Sequence, residues 1–311
     1  MPFDFSAVSA PFRMQPGLRK LAPGAQQLTP NHTGDRVLLE KLLVLRHDPE
    51  RALLCAPDFD ASPALRALMQ HAALEHPHAC GFDGASAFDA LHLGWALRGA
   101  EVSGNGPCEI GDCLRALPAR WRLPALLALA FAEDLAIIDA GSGNIEWLAV
   151  CLPSRWAPEA KVGRHFTEVH APVADNQLLI AASTQLMRLV TGPERWERFV
   201  WTLTPDGALD LHPVRRRREA WSAQAHAAEL AGASFFRTER QTFIPLPERQ
   251  QAVFTIHVET QPLAQVAASP AAARQLHDAL ASMSPSVLAY RGLSEARERL
   301  LAWLSERAGS A

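Results

Sequence analysis

FRTERQTFIPLPERQQAVFTIHVET, residues 236–260, holds two extended stretches joined by a turn near Pro247. Strand side chains alternate between faces, so Arg237, Glu239 and Gln241 share one side, and Thr238, Arg240 and Thr242 the other. On the returning stretch Phe254, Ile256 and Val258 lie on one face, with Thr255 and His257 on the other. The pattern predicts a β-hairpin. Two more hairpins precede it: 135–153, around the Gly-rich AGSGN, and 199–213, across Pro205-Asp206-Gly207. Successive hairpins require an antiparallel sheet, because parallel strands need crossover helices between them.

Helical periodicity surrounds these strands. DRVLLEKLLVLRHD (35–48), with Asp35 as N-cap, and SPALRALMQHAALEH (62–76) each carry one apolar stripe. Residues 173–190 read as a single helix capped by Asp175, and the helices 269–283 and 294–308 close the chain. The expected class is α+β, with a helical N-terminal region, residues 1–122, packing on a sheet-containing core, residues 123–311.

Composition narrows the function. A 48% hydrophobic, 20% charged chain of 311 residues is ordinary for a globular protein. A net charge of −3 argues against nucleic-acid binding, which needs a basic excess. The RRRR run at 215–218 has acidic neighbours in Asp210 and Glu219 and reads as a solvated face. Five scattered cysteines without a CxxC pair fit a reducing cytoplasm, and no signal peptide is visible. PALLALAFA (124–132) is too short to span a membrane and reads as buried core.

Phosphate-binding loops, GxGxxG, HExxH and GxSxG motifs are missing. GSGN (141–144) joins two strands, so it is a turn. HAALEHPHAC (71–80) gathers His71, His76, His78 and Cys80, but its spacing matches no structural zinc pattern. LPSRWAPEAKVGRHFTEVHAPV (152–173) differs in kind, because Pro172 restricts the backbone just after His170. A fixed imidazole suits axial ligation of iron, but on the residues alone a core histidine bonded to a carbonyl is the favoured reading. RTERQT (237–242) is either an edge strand guarded by charge or one wall of a polar pocket. In a pocket, Arg237 or Arg240 would pair with carboxylates such as haem propionates, and Glu239 would receive a cationic amine.

AEDLAII (132–138), CLPSRWAPEAKVGRHFTEVHAPV (151–173), RTERQTFIPLPERQQAVFTIHVETQPL (237–263) and SPSVLAYRGL (284–293), in that order, resemble the alpha subunit of haem-dependent oxidative N-demethylase. PFRMQPGLRKL (11–21) resembles the family's N-terminal segment more loosely. The chain departs from the family where Ala174-Asp175 stand in place of a second proline, and the segment before about residue 110 matches poorly.

The resemblance implies a PAS-type sheet enclosing a haem b. It further implies O₂-dependent oxidation of an N-methyl group on a small amine to an iminium, which water hydrolyses to formaldehyde. Electrons would come from a flavin or iron-sulfur reductase. By the same resemblance His170 is the expected iron ligand, with His257 as rival. Lys161, Arg237 and Arg240 are expected to contact the cofactor, and Glu239 to act on the substrate. The alternative function is a PAS-type haem sensor, or a haem-binding protein without demethylase activity.

Overall fold

A computed structural model describes residues 3–309. Among them the strands, in chain order, are β1 (Arg19–Lys20), β2 (Leu53–Cys55), β3 (Cys80–Phe82), β4 (Ala87–Ala90), β5 (Trp95–Arg98), β6 (Glu101–Gly104), β7 (Asp134–Asp139), β8 (Asn144–Ala149), β9 (Arg164–His165), β10 (Trp196–Thr204), β11 (Phe235–Leu246) and β12 (Gln251–Pro262). The fold is α+β. Its main sheet runs β1-β10-β11-β12-β7-β8-β2, with β9 beside β8, and its pairs are antiparallel.

The 236–260 hairpin forms as expected, pairing from Phe235↔Pro262 to Leu246↔Gln251. A short 3-10 turn, Pro247–Arg249, closes it, with Gln250 left-handed at φ 53°. β11 lies in the interior of the sheet between β10 and β12, so its charges do not guard an edge. They are tolerated because each face of β11 meets an enclosed polar environment.

β7 and β8 form the second expected hairpin, and Asp139 holds its turn by accepting from the Gly141 and Ser142 amides. The third is corrected: β10 forms, but 205–213 do not return as a strand. β11 takes one flank of β10 along its whole length, whereas β1 takes the other only at Trp196 and Glu197. Side chains instead satisfy the 205–213 backbone: Glu40 Oε2 accepts from the Leu209 and Asp210 amides, and Arg237 takes the Ala208 and Leu209 carbonyls. The RRRR reading changes with it, since Arg215 is paired with Asp210 and Asp48 and Arg216 with Asp206.

Helices Arg36–His47 and Ser62–Glu75 form close to their expected bounds, as do Pro270–Ala281 and Arg297–Gly309. The expected 173–190 helix is two shorter ones, Gln177–Ala181 and Ser183–Thr191. Asp175 cannot cap them: it sits at φ 53° and its carboxylate accepts from the Ser284 and Ser286 hydroxyls.

The N-terminal region is not purely helical. It also carries the four-stranded sheet β3-β4-β5-β6 and lends β1 and β2 to the main sheet. Leu38, Leu45, Leu68 and Met69 share one apolar cluster with Leu127, Phe131, Ile137 and Trp147. Residues 125–131 are fully buried, and no helix among the described residues is long and apolar enough to cross a membrane.

At this junction a buried ammonium, Lys41, donates to the Phe131 and Glu133 carbonyls at 3.0 and 2.6 Å and lies 3.3 Å from Asp134. Asp134 in turn accepts from the Cys151 and Leu152 amides at 3.0 and 2.7 Å. These contacts fix the start of β7 relative to the chain leaving β8, which leads into the site.

Candidate functional site

One face of β7, β8, β10, β11 and β12 is covered by the chain between residues 154 and 191 and by the strap Met14–Leu18. A cavity of about 390 Å³ lies between them. That size falls in the range of pockets that bury small molecules and cofactors. Its walls are largely apolar, with Leu148, Phe166, Val190 and Ile256 lining it beside the stacked pair Phe243 and Phe254, whose centroids are 4.9 Å apart.

His170 reaches this cavity from a one-turn helix, Phe166–His170. His165 caps that helix, its Nδ1 accepting from the Thr167 amide. The His170 ring packs against the Phe166 ring at 4.1 Å, and its Nδ1 lies 2.8 Å from the Phe166 carbonyl. A carbonyl only accepts, so Nδ1 carries the proton and Nε2 keeps its lone pair. Nε2 has no hydrogen-bond partner among the described residues. Burial pushes the His170 pKa down to about 4, against the opposing Phe166 bond, and the charges of Lys161 and Arg198 lower it further. The ring is therefore neutral at physiological pH, with its second nitrogen available to a metal.

A pH effect on stability follows. The unfolded chain has a His pKa of about 6.5, so between that value and about 4 it binds more protons than the folded chain. Stability of the haem-free protein is therefore expected to fall as pH drops through this window, by roughly 3 kcal/mol from this group once pH is below both values. Urea midpoints at pH 7 and pH 4.5 check this, and His170→Ala should flatten the slope.

β11 supplies the polar wall. Arg237, Glu239 and Gln241 face the cavity, as alternation predicts. Glu239 accepts from the Ser154 hydroxyl through Oε1 and from Gln241 Nε2 at 2.6 Å through Oε2. Arg237 Nε donates to the same Ser154 oxygen at 2.8 Å, and its other nitrogens hold the Ala208, Leu209 and Leu152 carbonyls. Arg237 is thus engaged as a brace that orients Ser154 and, through it, Glu239. Lys161 also lines the cavity, its Nζ 3.3 Å from the Val169 carbonyl and 5.1 Å from the Trp156 ring centre. Burial lowers its pKa, opposed by Glu239.

Arg240 and His257 are not brought to the cavity. Both project from the opposite face of the sheet, where Arg240 pairs with Glu197 at 3.0 Å and the Gln26 carbonyl at 2.9 Å. His257 Nδ1 lies 3.0 Å from Glu133. Burial raises the Glu133 pKa, but the His257 and Thr29 contacts outweigh it and hold the carboxyl low.

Two cavity residues were missed by sequence reading. Arg198, on β10, makes no hydrogen bond or ion pair within 4 Å to any described residue, and its buried Nε is without a partner. Arg291 donates to the Trp201 carbonyl and packs on the Phe12 ring at 4.7 Å, but its Nε is likewise unpartnered. Burial pushes the Arg291 pKa down to about 10. Both positions carried a signal: Arg198 interrupts an apolar strand, and Arg291 lies in the YRGL stretch.

The α+β fold thus brings together a largely apolar cavity, a neutral, fixed imidazole and partly buried cations. Residues 119–301, more than half the chain, match the family described as haem-dependent oxidative N-demethylase, alpha subunit-like. The chain belongs to that family. The match covers β7 to β12, the helix that carries His170 and the two helices that follow it, while Met14 to Leu18 enter the cavity from outside it.

The residues fit haem. Among the described residues no group of three or more His, Cys, Asp and Glu side chains could hold a bare metal ion. A single histidine would suffice for haem, because the porphyrin itself supplies four nitrogens to the iron. Apolar walls suit the macrocycle, and the unpartnered guanidinium nitrogens suit its carboxylates.

Proposed function

We propose that this chain binds a haem b in the cavity, where His170 Nε2 would hold its iron. In this reading the chain is the oxygen-activating component of an oxidative N-demethylase in the cytoplasm. The neutral His170 with its free Nε2 is the observation that carries this reading. Residues 123–311 form the haem-holding, PAS-like core, and residues 1–122 support it. When bound, the haem supplies an iron centre that activates O₂ with electrons from a flavin or iron-sulfur reductase.

The protein's own contribution is placement. Glu239, held by Ser154 and Gln241, receives the cationic amine and sets its N-methyl group in the cavity. Apolar walls keep bulk water from the reacting carbon until an iminium has formed; water then adds and formaldehyde leaves. Lys161 holds the turn beside His170 and adds positive potential near the cofactor. Arg237 acts through Ser154, and Arg240 supports the sheet from its far side.

The test is formaldehyde release from dimethylamine by the haem-loaded protein with a chemical reductant and O₂. Glu239→Gln should weaken amine affinity roughly 10- to 100-fold, the range of a hydrogen bond to a charged group. Amine affinity unaltered by that substitution would remove Glu239 from the substrate site. Haem binding with no formaldehyde, under any electron supply, would favour the sensor reading over the enzyme.

A further inference from the structure

We propose that Arg198 is a carboxylate-binding residue of the cavity, and that its ligand belongs to the bound cofactor or to the amine substrate. The inference rests on the haem reading above but begins from a separate observation. Arg198 stands on β10, just past the two residues that pair with β1, and directly opposite Gln241 of β11. Its neighbours on the chain are satisfied elsewhere: Glu197 is bonded to Arg240 and Arg19 on the other face. Buried Arg237 and Arg240 each hold several protein oxygens, whereas Arg198 holds none among the described residues.

Arg198 is only partly buried, but its buried Nε has no partner, which is unfavourable, and burial depresses its pKa, opposed by the charge of Glu239. Glu239 does not pair with it. That carboxylate is turned toward Ser154 and Gln241. Because Val200 opposes Glu239, Arg198 and Glu239 are diagonal neighbours on one cavity face, roughly 7–8 Å apart at their Cα atoms. The face therefore presents an unpaired cation and a carboxylate side by side on the cavity wall.

A planar guanidinium fork matches a carboxylate in two parallel hydrogen bonds. Two sources offer one here. A haem propionate would use Arg198 as an anchor. Alternatively, an N-methylated amino acid would place its ammonium on Glu239 and its carboxylate on Arg198, which would make the substrate a zwitterion.

The experiment compares wild type with Arg198→Gln in the full chain. Haem affinity is measured by absorption titration with haem b and with its dimethyl ester, which has no free carboxylate. Binding of N-methylglycine and of dimethylamine to the haem-loaded protein is read from difference spectra. A propionate anchor predicts a loss of about tenfold or more for haem b but not for the ester. A substrate carboxylate predicts unchanged haem affinity and a similar loss for N-methylglycine but not for dimethylamine. Either pattern supports the proposal, and no selective loss in either series overturns it. The unfolding midpoint without ligand should stay level or rise in Arg198→Gln, since an unpaired, partly buried charge has gone; a lowered midpoint would mark a structural brace and also overturn it.

Should wild type bind no haem, the haem reading fails by itself. The carboxylate site is then tested in the same protein by the thermal shift that N-methylglycine produces. A shift lost in Arg198→Gln upholds the site, and no shift in wild type overturns it.

Discussion

Replacing His170 by glycine is expected to lower haem affinity by more than about 100-fold, because loss of a ligand exceeds the 10- to 100-fold typical of removing its outer-shell support. The Soret band should shift toward that of free haem, and added imidazole should restore it. The expectation rests on three contacts. The His165 cap starts the one-turn helix, the Phe166 carbonyl 2.8 Å from Nδ1 fixes the tautomer, and the Phe166 ring at 4.1 Å fixes the plane. Nothing in the protein occupies Nε2, so truncation leaves the fold's hydrogen bonding nearly intact. His257→Ala is the matched control: it breaks the Glu133 contact on the far side of the sheet and should leave the spectrum unchanged. An unaltered Soret band in His170→Gly, or its loss in His257→Ala, would move the ligand role to another histidine.

Asp134→Ala is expected to destabilise the protein by about 3–5 kcal/mol, the cost of breaking a buried ion pair from one side. Lys41 would keep two carbonyl partners and lose its counter-charge, and the Cys151 and Leu152 amides would lose their acceptor. Since folded domains are stable by only about 5–15 kcal/mol, the variant should be poorly folded at 37 °C. Lys41→Met on the same background should recover part of the loss, because the uncompensated charge is then absent. Urea unfolding of the two single variants and the double variant measures this. Strictly additive losses would show that Lys41 and Asp134 do not act as a pair.

Much of the site was legible because β11 alternates. Period-two reading correctly separated Arg237, Glu239 and Gln241 from Arg240 and Thr242, and the order of motifs pointed to His170 and to the family. It could not say which face encloses the cavity, so Arg240 and His257 remained candidates until the far-side partners Glu197 and Glu133 were seen. Arg198 escaped notice because its significance is the lack of a partner, which depends on long-range packing. The false hairpin at 199–213 failed for a related reason. Pro205-Asp206-Gly207 do not close a hairpin turn, and Glu40, distant in the chain, supplies the acceptor that a return strand would have supplied. Short strands β3 to β6 went unread among glycines and helical neighbours, since three- and four-residue strands carry little periodicity.

The most direct measurement of haem binding through His170 is a visible-absorption titration of this 311-residue chain with haem. A saturable Soret band that breaks at one equivalent, and that is lost in His170→Gly and regained with imidazole, is the predicted result. A featureless spectrum matching free haem at every ratio would contradict it.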